Sequence, residues 1–315
     1  MHPSFSIVFF TTASGAGFGL LFLLGLGVPL GLLPIDPWFG VASLATAFVL
    51  AAGGLVSSVF HLGRPERAWR AFSQWRSSWL SREGVLSVAT LIAAAVFAIG
   101  WIFFGAFTGI IGLFGILAAA LAVATIYCTG MIYASLKPIH QWHNCWVVPN
   151  YLALGLMAGF LLLDLIERFW MPFPLGAPIL TLLALLAAWW TKERYWRFID
   201  TTSAASTVES ATALGSRGRV RLLEPPHTQD NYLLKEMGYR IARKHRVRLR
   251  LVARLTIFVL PAILTLTALF LAGRIGEIAA AVAVASAALG LVVERWLFFA
   301  EAKHTVTLYY GAEAV

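Results

Sequence analysis

Charge is scarce in this chain. Asp, Glu, Lys and Arg make up 12% of its 315 residues, hydrophobic types 59%, and the mean hydropathy is +0.79. A soluble domain cannot hide that much apolar surface, so the solvent of this chain is a bilayer. Cysteine is scarcer still. Cys128 and Cys145 stand alone, without a CxxC or a four-cysteine run, so the chain ligates no iron–sulfur cluster by itself. The 13 prolines and 27 glycines are scattered, which excludes collagen-like and low-complexity readings. The opening MHPSFSIVFF has no basic segment before its apolar run and no evident cleavage site, so it reads as a retained span and not a signal peptide. No internal repeat stands out, which weakens the reading of an inverted-repeat transporter.

What the chain does have is eight apolar runs, at about 5–31, 38–60, 84–104, 109–135, 146–166, 174–191, 251–273 and 276–299. Each is near the roughly 20 residues that a helix needs to cross the hydrocarbon core. The runs are continuous rather than alternating, which excludes strands. The fold class is therefore an all-α integral membrane protein, a bundle of eight transmembrane helices forming one domain over 1–315. In the first run, Gly15 and Gly19 form a GxxxG with Ala13 and Gly17 at the same spacing, a pattern that serves close helix packing.

The basic residues are distributed very unevenly. Five arginines follow run 2, Lys137 follows run 4, fourteen Lys or Arg lie between Lys192 and Arg254, and Arg295 and Lys303 lie near the C-terminal end. One face thus carries 22 of the 24, leaving Arg168 and Arg274 for the other. Positive residues collect on the cytoplasmic side of a plasma membrane, which places both termini, the loops after runs 2, 4 and 6, and any partner subunits there. The net charge of +9 then reflects loop bias and anionic lipid, and no nucleic-acid partner is expected. The segment 200–250 is a long cytoplasmic loop inserted between helices 6 and 7. Its first part is Ser/Thr/Gly-rich, and its second, HTQDNYLLKEMGYRIARKHRVRLRL, has helical spacing at Tyr232, Leu233, Met237 and Ile241. Such a helix can lie on lipid or dock a partner, and is too small to be a catalytic domain.

The stretch HLGRPERAWRAFSQWRSSWLSREG, from His61 to Gly84, joins runs 2 and 3. His61 closes one span and Glu83 opens the next. Two readings fit a histidine and a carboxylate at this depth. They can be interfacial caps paired with nearby arginines. They can also serve a quinone, the histidine holding a carbonyl oxygen and the carboxylate exchanging the protons that accompany two-electron reduction.

The strings HLGRPERAW and SSWLSREG resemble the membrane-anchor subunits of the dimethyl sulfoxide reductase type (DmsC-like). In that family an HLGRP motif ends the second span and an LS-x-E motif opens the third. The resemblance extends through HPSFSIVFFTTASGAGFG, through GMIYASLKPIHQWHNCWVVPNY with Tyr133, Trp142 and Asn144, and through IDTTSAASTVESATALG and RLLEPPHTQDNYLLKEMGYRIARKH in the long loop, nearly the whole chain. It implies a quinone site, for ubiquinone or menaquinone, with His61 and Glu83 at the family's separation of 22 positions. Arg64 of the HLGRP motif is placed with them. Tyr133 is open to two readings, a quinone hydrogen bond or an interface anchor.

The same resemblance implies two extrinsic partners, a ferredoxin-like iron–sulfur subunit and a catalytic subunit with a molybdopterin cofactor. Arg67, Arg70, Arg76 and Arg82, with Tyr232, Lys235 and Arg243 of the long loop, are expected to dock them. The chemistry at molybdenum is then on a partner, with no catalytic residue and no metal ligand in this chain. His140 and His143 could frame a b-type haem with His61, but no haem is expected, because no histidine is convincingly mid-span. Trp142 is expected in the interfacial aromatic belt, and Asp164, Glu167 and Arg168 in a solvated cluster on the outer side. Glu294 and Arg295 are expected to pair with each other or with loop charges. A cytoplasmic placement departs from the exported dimethyl sulfoxide-reducing branch and resembles the sulfite-oxidising, SoeC-like branch. The expectation is thus the anchor of a sulfite:quinone oxidoreductase in a bacterial inner membrane. An S- or N-oxide reductase anchor using quinol is the alternative, and a transporter or scaffold the alternative of another class.

Overall fold

The computed structural model describes residues 4–60, 62–171, 174–204, 206–224, 241–271, 273–310 and 312 (for 241–244 the backbone only). The chain forms α1 (Phe5–Gly27), α2 (Pro37–Val59), α3 (Trp79–Phe104), α4 (Gly109–Ala134), α5 (Val147–Glu167) and α6 (Gly176–Thr201). Then α7 (Ile241–Arg254) runs through a π-turn (Leu255–Val259) into α8 (Leu260–Phe270), and α9 (Arg274–Ala300) completes an all-helical bundle. No strand occurs among the described residues. Among the described residues, seven stretches are long and apolar enough to cross a membrane: α1 to α5, His245–Phe270 across the π-turn, and α9. The eighth expected span, α6, is apolar at first and becomes charged at Lys192, Glu193 and Arg194 while still helical. Short 3-10 segments at Pro65–Phe72 and Thr305–Tyr310 lie on the face where α2 and α9 end.

Lipid tails are as apolar as leucine, so helices in a bilayer associate through close packing. The small residues of α1 provide it. A Cβ on Gly19 would collide with the carbonyl oxygen of Gly155, and one on Gly17 would stand 2.5 Å from the amide of Ala51. α1 thereby presses against α5 on one side and α2 on the other, and it also contacts α4 and α9.

Two backbone irregularities are compensated. Pro261 has no N–H for the carbonyl four residues back, and the chain widens to an i→i+5 turn in which the amide of Leu260 reaches the carbonyl of Leu255. Ser286 of α9 then donates to the carbonyl of Thr256 at 2.8 Å. At the start of α2, Asp36 accepts from the amides of Trp38 and Phe39 at 2.9 and 3.0 Å and from the Trp170 indole at 3.0 Å. The Phe39 bond leads in holding this carboxyl below the usual carboxylate range.

Ion pairs tie α7 to its neighbours. Arg250 grips both oxygens of Glu301 at 3.0 and 2.8 Å and reaches Asp200 at 2.6 Å, and Arg254 grips both oxygens of Glu193 at 2.5 and 3.0 Å. On the opposite face Asp164, Glu167 and Arg168 are buried, so the solvated cluster expected from the sequence is corrected. Arg168 turns inward, 2.9 Å from Asp164 and donating to the carbonyl of Ala268 at 2.8 Å, because the end of α8 covers it.

Candidate functional site

The apolar run that opens at residue 84 understates the third helix. Ser78 accepts from the amide of Ser81 at 3.5 Å, and α3 starts at Trp79. Glu83 is therefore about 6 Å inside the helix, at 1.5 Å per residue. It is 3% exposed and faces α4, where the hydroxyl of Thr129 donates to its Oε1. Thr125, one turn along, lies 3.2 Å from the hydroxyl of Thr90 on α3, so a stripe of buried hydroxyls follows the α3–α4 seam away from Glu83. No arginine pairs with Glu83 among the described residues, and Arg82 turns back to the carbonyls of Trp75 and Arg76.

Thr129 also lines a small cavity of about 10 Å³, roomy enough for about one water. Across it stand Tyr151 of α5 and Arg295 of α9, with Ser14 and Gly15 of α1 beside them. The Arg295 guanidinium lies 3.8 Å from the Tyr151 ring centroid. The Tyr151 hydroxyl, Arg295 Nη1 and Glu294 Oε2 are buried without a hydrogen-bond partner, although Nη1 is 3.5 Å from that Glu294 oxygen. The other Glu294 oxygen pairs with Lys192 of α6, both at most 1% exposed. Glu294, Arg295, Lys192 and Tyr151 were not assigned to a site from the sequence. The signal available was a charge pair inside the last apolar run.

Of the other expected site residues, His61 lies outside the described residues. Arg64 is exposed. Tyr133 is buried in an aromatic box, stacked on Tyr151 at 5.7 Å and edge-on to Trp142, Phe298 and Phe299. It is thus no interface anchor, because three elements close over it. Trp142 is likewise buried and donates to the carbonyl of Phe298 at 2.9 Å, which corrects its expected place in the belt. His140 bonds Thr202 at 2.9 Å and His143 bonds the carbonyl of Ala134 at 2.7 Å. No group of three or more His, Cys, Asp or Glu poised to hold a metal occurs among the described residues.

The loop from Arg64 to Arg82 forms an exposed surface of alternating cations and rings. Arg70 lies over Trp69 at 5.6 Å, Arg76 over Trp75 at 5.5 Å and Arg82 over Trp79 at 4.2 Å, while Arg67 is 4.0 Å from Glu66. Tyr232, Lys235 and the side chain of Arg243 lie outside the described residues, as does the expected helix before Ile241.

The model of the family described as DMSO reductase anchor subunit (DmsC) matches residues 1–311. One of the sulfite dehydrogenase subunits of Allochromatium vinosum, the one designated C, is 33% identical, with the whole of both chains covered. No solved structure matches.

Proposed function

Because the chain belongs to the DMSO reductase anchor subunit (DmsC) family, we propose that it is the quinone-reactive anchor of a sulfite:quinone oxidoreductase. It is a multi-pass membrane subunit of an oxidoreductase complex. In the proposed reading the complex oxidises sulfite and water to sulfate, releasing two protons and two electrons, and the electrons reduce a membrane quinone to quinol. The extrinsic partners supply the redox centres, a ferredoxin-like subunit its iron–sulfur clusters and a catalytic subunit its molybdenum cofactor. This chain holds them on the cytoplasmic face of the inner membrane, binds the quinone, and supplies it with protons.

The observation that carries the reading is Glu83, a carboxylate with no paired arginine among the described residues, held by a threonine one turn inside the bundle at the charge-rich face. A carboxylate there needs a purpose that offsets its desolvation, and proton exchange with a quinone is one. His61, carried by the HLGRP motif, is the proposed holder of the other participant, a quinone carbonyl. The preference for sulfite rests on the relative named for it and on the charge bias that puts the partner-binding face in the cytoplasm. The family description favours the second reading, an S- or N-oxide reductase anchor running from quinol. The cation-and-ring loop Arg64–Arg82 is the proposed docking surface.

Replacement tests the assignment in the intact complex. His61→Ala and Glu83→Gln are each expected to lower sulfite-driven quinone reduction at least tenfold, while artificial dyes still accept electrons from the partners. Glu83→Gln should also change the pH profile of turnover, since it keeps the shape of the side chain and removes its proton exchange. Parental rates and pH profile in both variants would return the pair to a capping role.

A further inference from the structure

A second cavity meets the small polar one from the lipid side. It is a cleft of about 230 Å³ between α1, α5 and α9, walled by Phe9, Ala13, Ala158, Leu161 and Ala288. Thr12 and Leu291 line both cavities, so the two adjoin. Phe9, Ala288 and Val292 are exposed, so the cleft opens on the lipid-facing side of the bundle. Its inner end adjoins the niche lined by Tyr151 and Arg295, residues whose hydroxyl and Nη1 are buried without hydrogen-bond partners. An apolar pocket with a few converging donors is the general form of a small-molecule site. A hydroxyl without a partner and a guanidinium nitrogen held only by a 3.5 Å ion pair specify what must arrive, an oxygen acceptor carried on an apolar body. A ligand reaching them from the bilayer must itself be lipid-soluble.

We propose that cleft and niche together form the quinone headgroup site, with Tyr151 and Arg295 donating to one carbonyl oxygen. This rests on the quinone reading above and deepens it, by naming the entry and the donors. The ring lies in the cleft between α1 and α9, and the isoprenoid tail runs out into lipid past Ala288. Glu83 stands on the far wall of the niche behind Thr129, which gives the carbonyl a hydroxyl-linked carboxylate opposite its two donors. Arg295 is kept charged and aimed by Glu294, which is itself fixed by Lys192.

The test uses the three-subunit complex with sulfite as donor and a short-chain ubiquinone or a naphthoquinone as acceptor. Ala288→Trp fills the cleft from its exposed rim. It is expected to raise the KM for quinone at least tenfold while dye reduction by the partners stays at the parental rate. Tyr151→Phe removes only the hydroxyl. It is expected to raise that KM several-fold without lowering the melting temperature of the complex, since the lost group has no partner in the fold. The two readouts separate a ligand role from a structural one. Unchanged KM in both variants overturns the proposal and leaves a water-filled niche beside a lipid-filled cleft. A shift with Ala288→Trp alone overturns the assignment of the donors. A parent complex that reduces dye but no quinone would instead overturn the quinone reading itself.

Discussion

A lysine ammonium that is 1% exposed in a membrane bundle persists only while a carboxylate answers it. Lys192 has Glu294, and the Tyr195 and Trp196 rings lie 4.2 and 5.1 Å from its nitrogen. Removing one partner of a buried pair leaves an uncompensated charge, at a cost of roughly 3–5 kcal/mol. Arg295 still faces Glu294 in Lys192→Met, so the loss should fall near ~3 kcal/mol. Lys192→Met is thus expected to lower the melting temperature of the detergent-solubilised complex, and Glu294→Gln, which strips the carboxylate from both Lys192 and Arg295, to lower it further. Glu294→Gln no less stable than Lys192→Met would show that the shared carboxylate is not what holds the two cations. At this scale the site is only half legible in the sequence. Glu83 stands out as a candidate because its motif is specific. Lys192 is missed because the sixth apolar run stops at Thr191, so the lysine reads as the first residue of a loop, although the helix continues to Thr201. Tyr133 is placed at the right depth, but its aromatic box comes from α5 and the end of α9, whose approach no local pattern encodes.

Among the elements, α1 is the one the others are arranged around. Its glycines let α2 and α5 approach to backbone contact, and that approach brings Thr11, Ser14 and Phe18 of α1 against Tyr151 and Leu154 of α5 at the niche. The GxxxG in the sequence reveals the close packing but not the partner, since Gly155 and Gly159 on α5 become its counterpart only in the fold. The eight apolar runs are legible because the bilayer enforces their length. Their ends are not, because helices continue past the apolar stretch wherever charges find partners. Gly19→Leu should collide with the carbonyl of Gly155 and sharply reduce the assembled complex in membranes, measured on native gels. Gly53→Ala, whose new Cβ would meet nothing within 4 Å, serves as the control and should assemble like the parent. Parental assembly of Gly19→Leu would mean that α1 and α5 are not held at this crossing.

For the whole molecule, the asymmetry of charge corresponds to an asymmetry of structure. The face to which the sequence assigns 22 of the 24 basic residues also gathers the described loops into one layer. The amide of Thr305 donates to the carbonyl of Pro138 at 3.0 Å, His140 bonds Thr202, and the Tyr309 hydroxyl donates to the carbonyl of Ala211 at 2.6 Å. The C-terminal segment, the α4–α5 loop and the start of the long loop are therefore on the same side as Glu83 and the Arg64–Arg82 surface. In the proposed function a partner docked on that layer would deliver electrons to the half of the bilayer where Glu83, Tyr151 and Arg295 lie, so the side of this layer would decide where the substrate is oxidised. In the proposed orientation, which follows the positive-inside rule, that side is the cytoplasm. Trypsin is a suitable probe, because Arg217, Arg219 and Arg221 are exposed. Added to sealed right-side-out vesicles, it should leave the long loop intact, and added to inverted vesicles it should cut there. Cleavage in the right-side-out preparation would overturn the cytoplasmic orientation, and with it the preference for sulfite over an oxide substrate handled on the outer face.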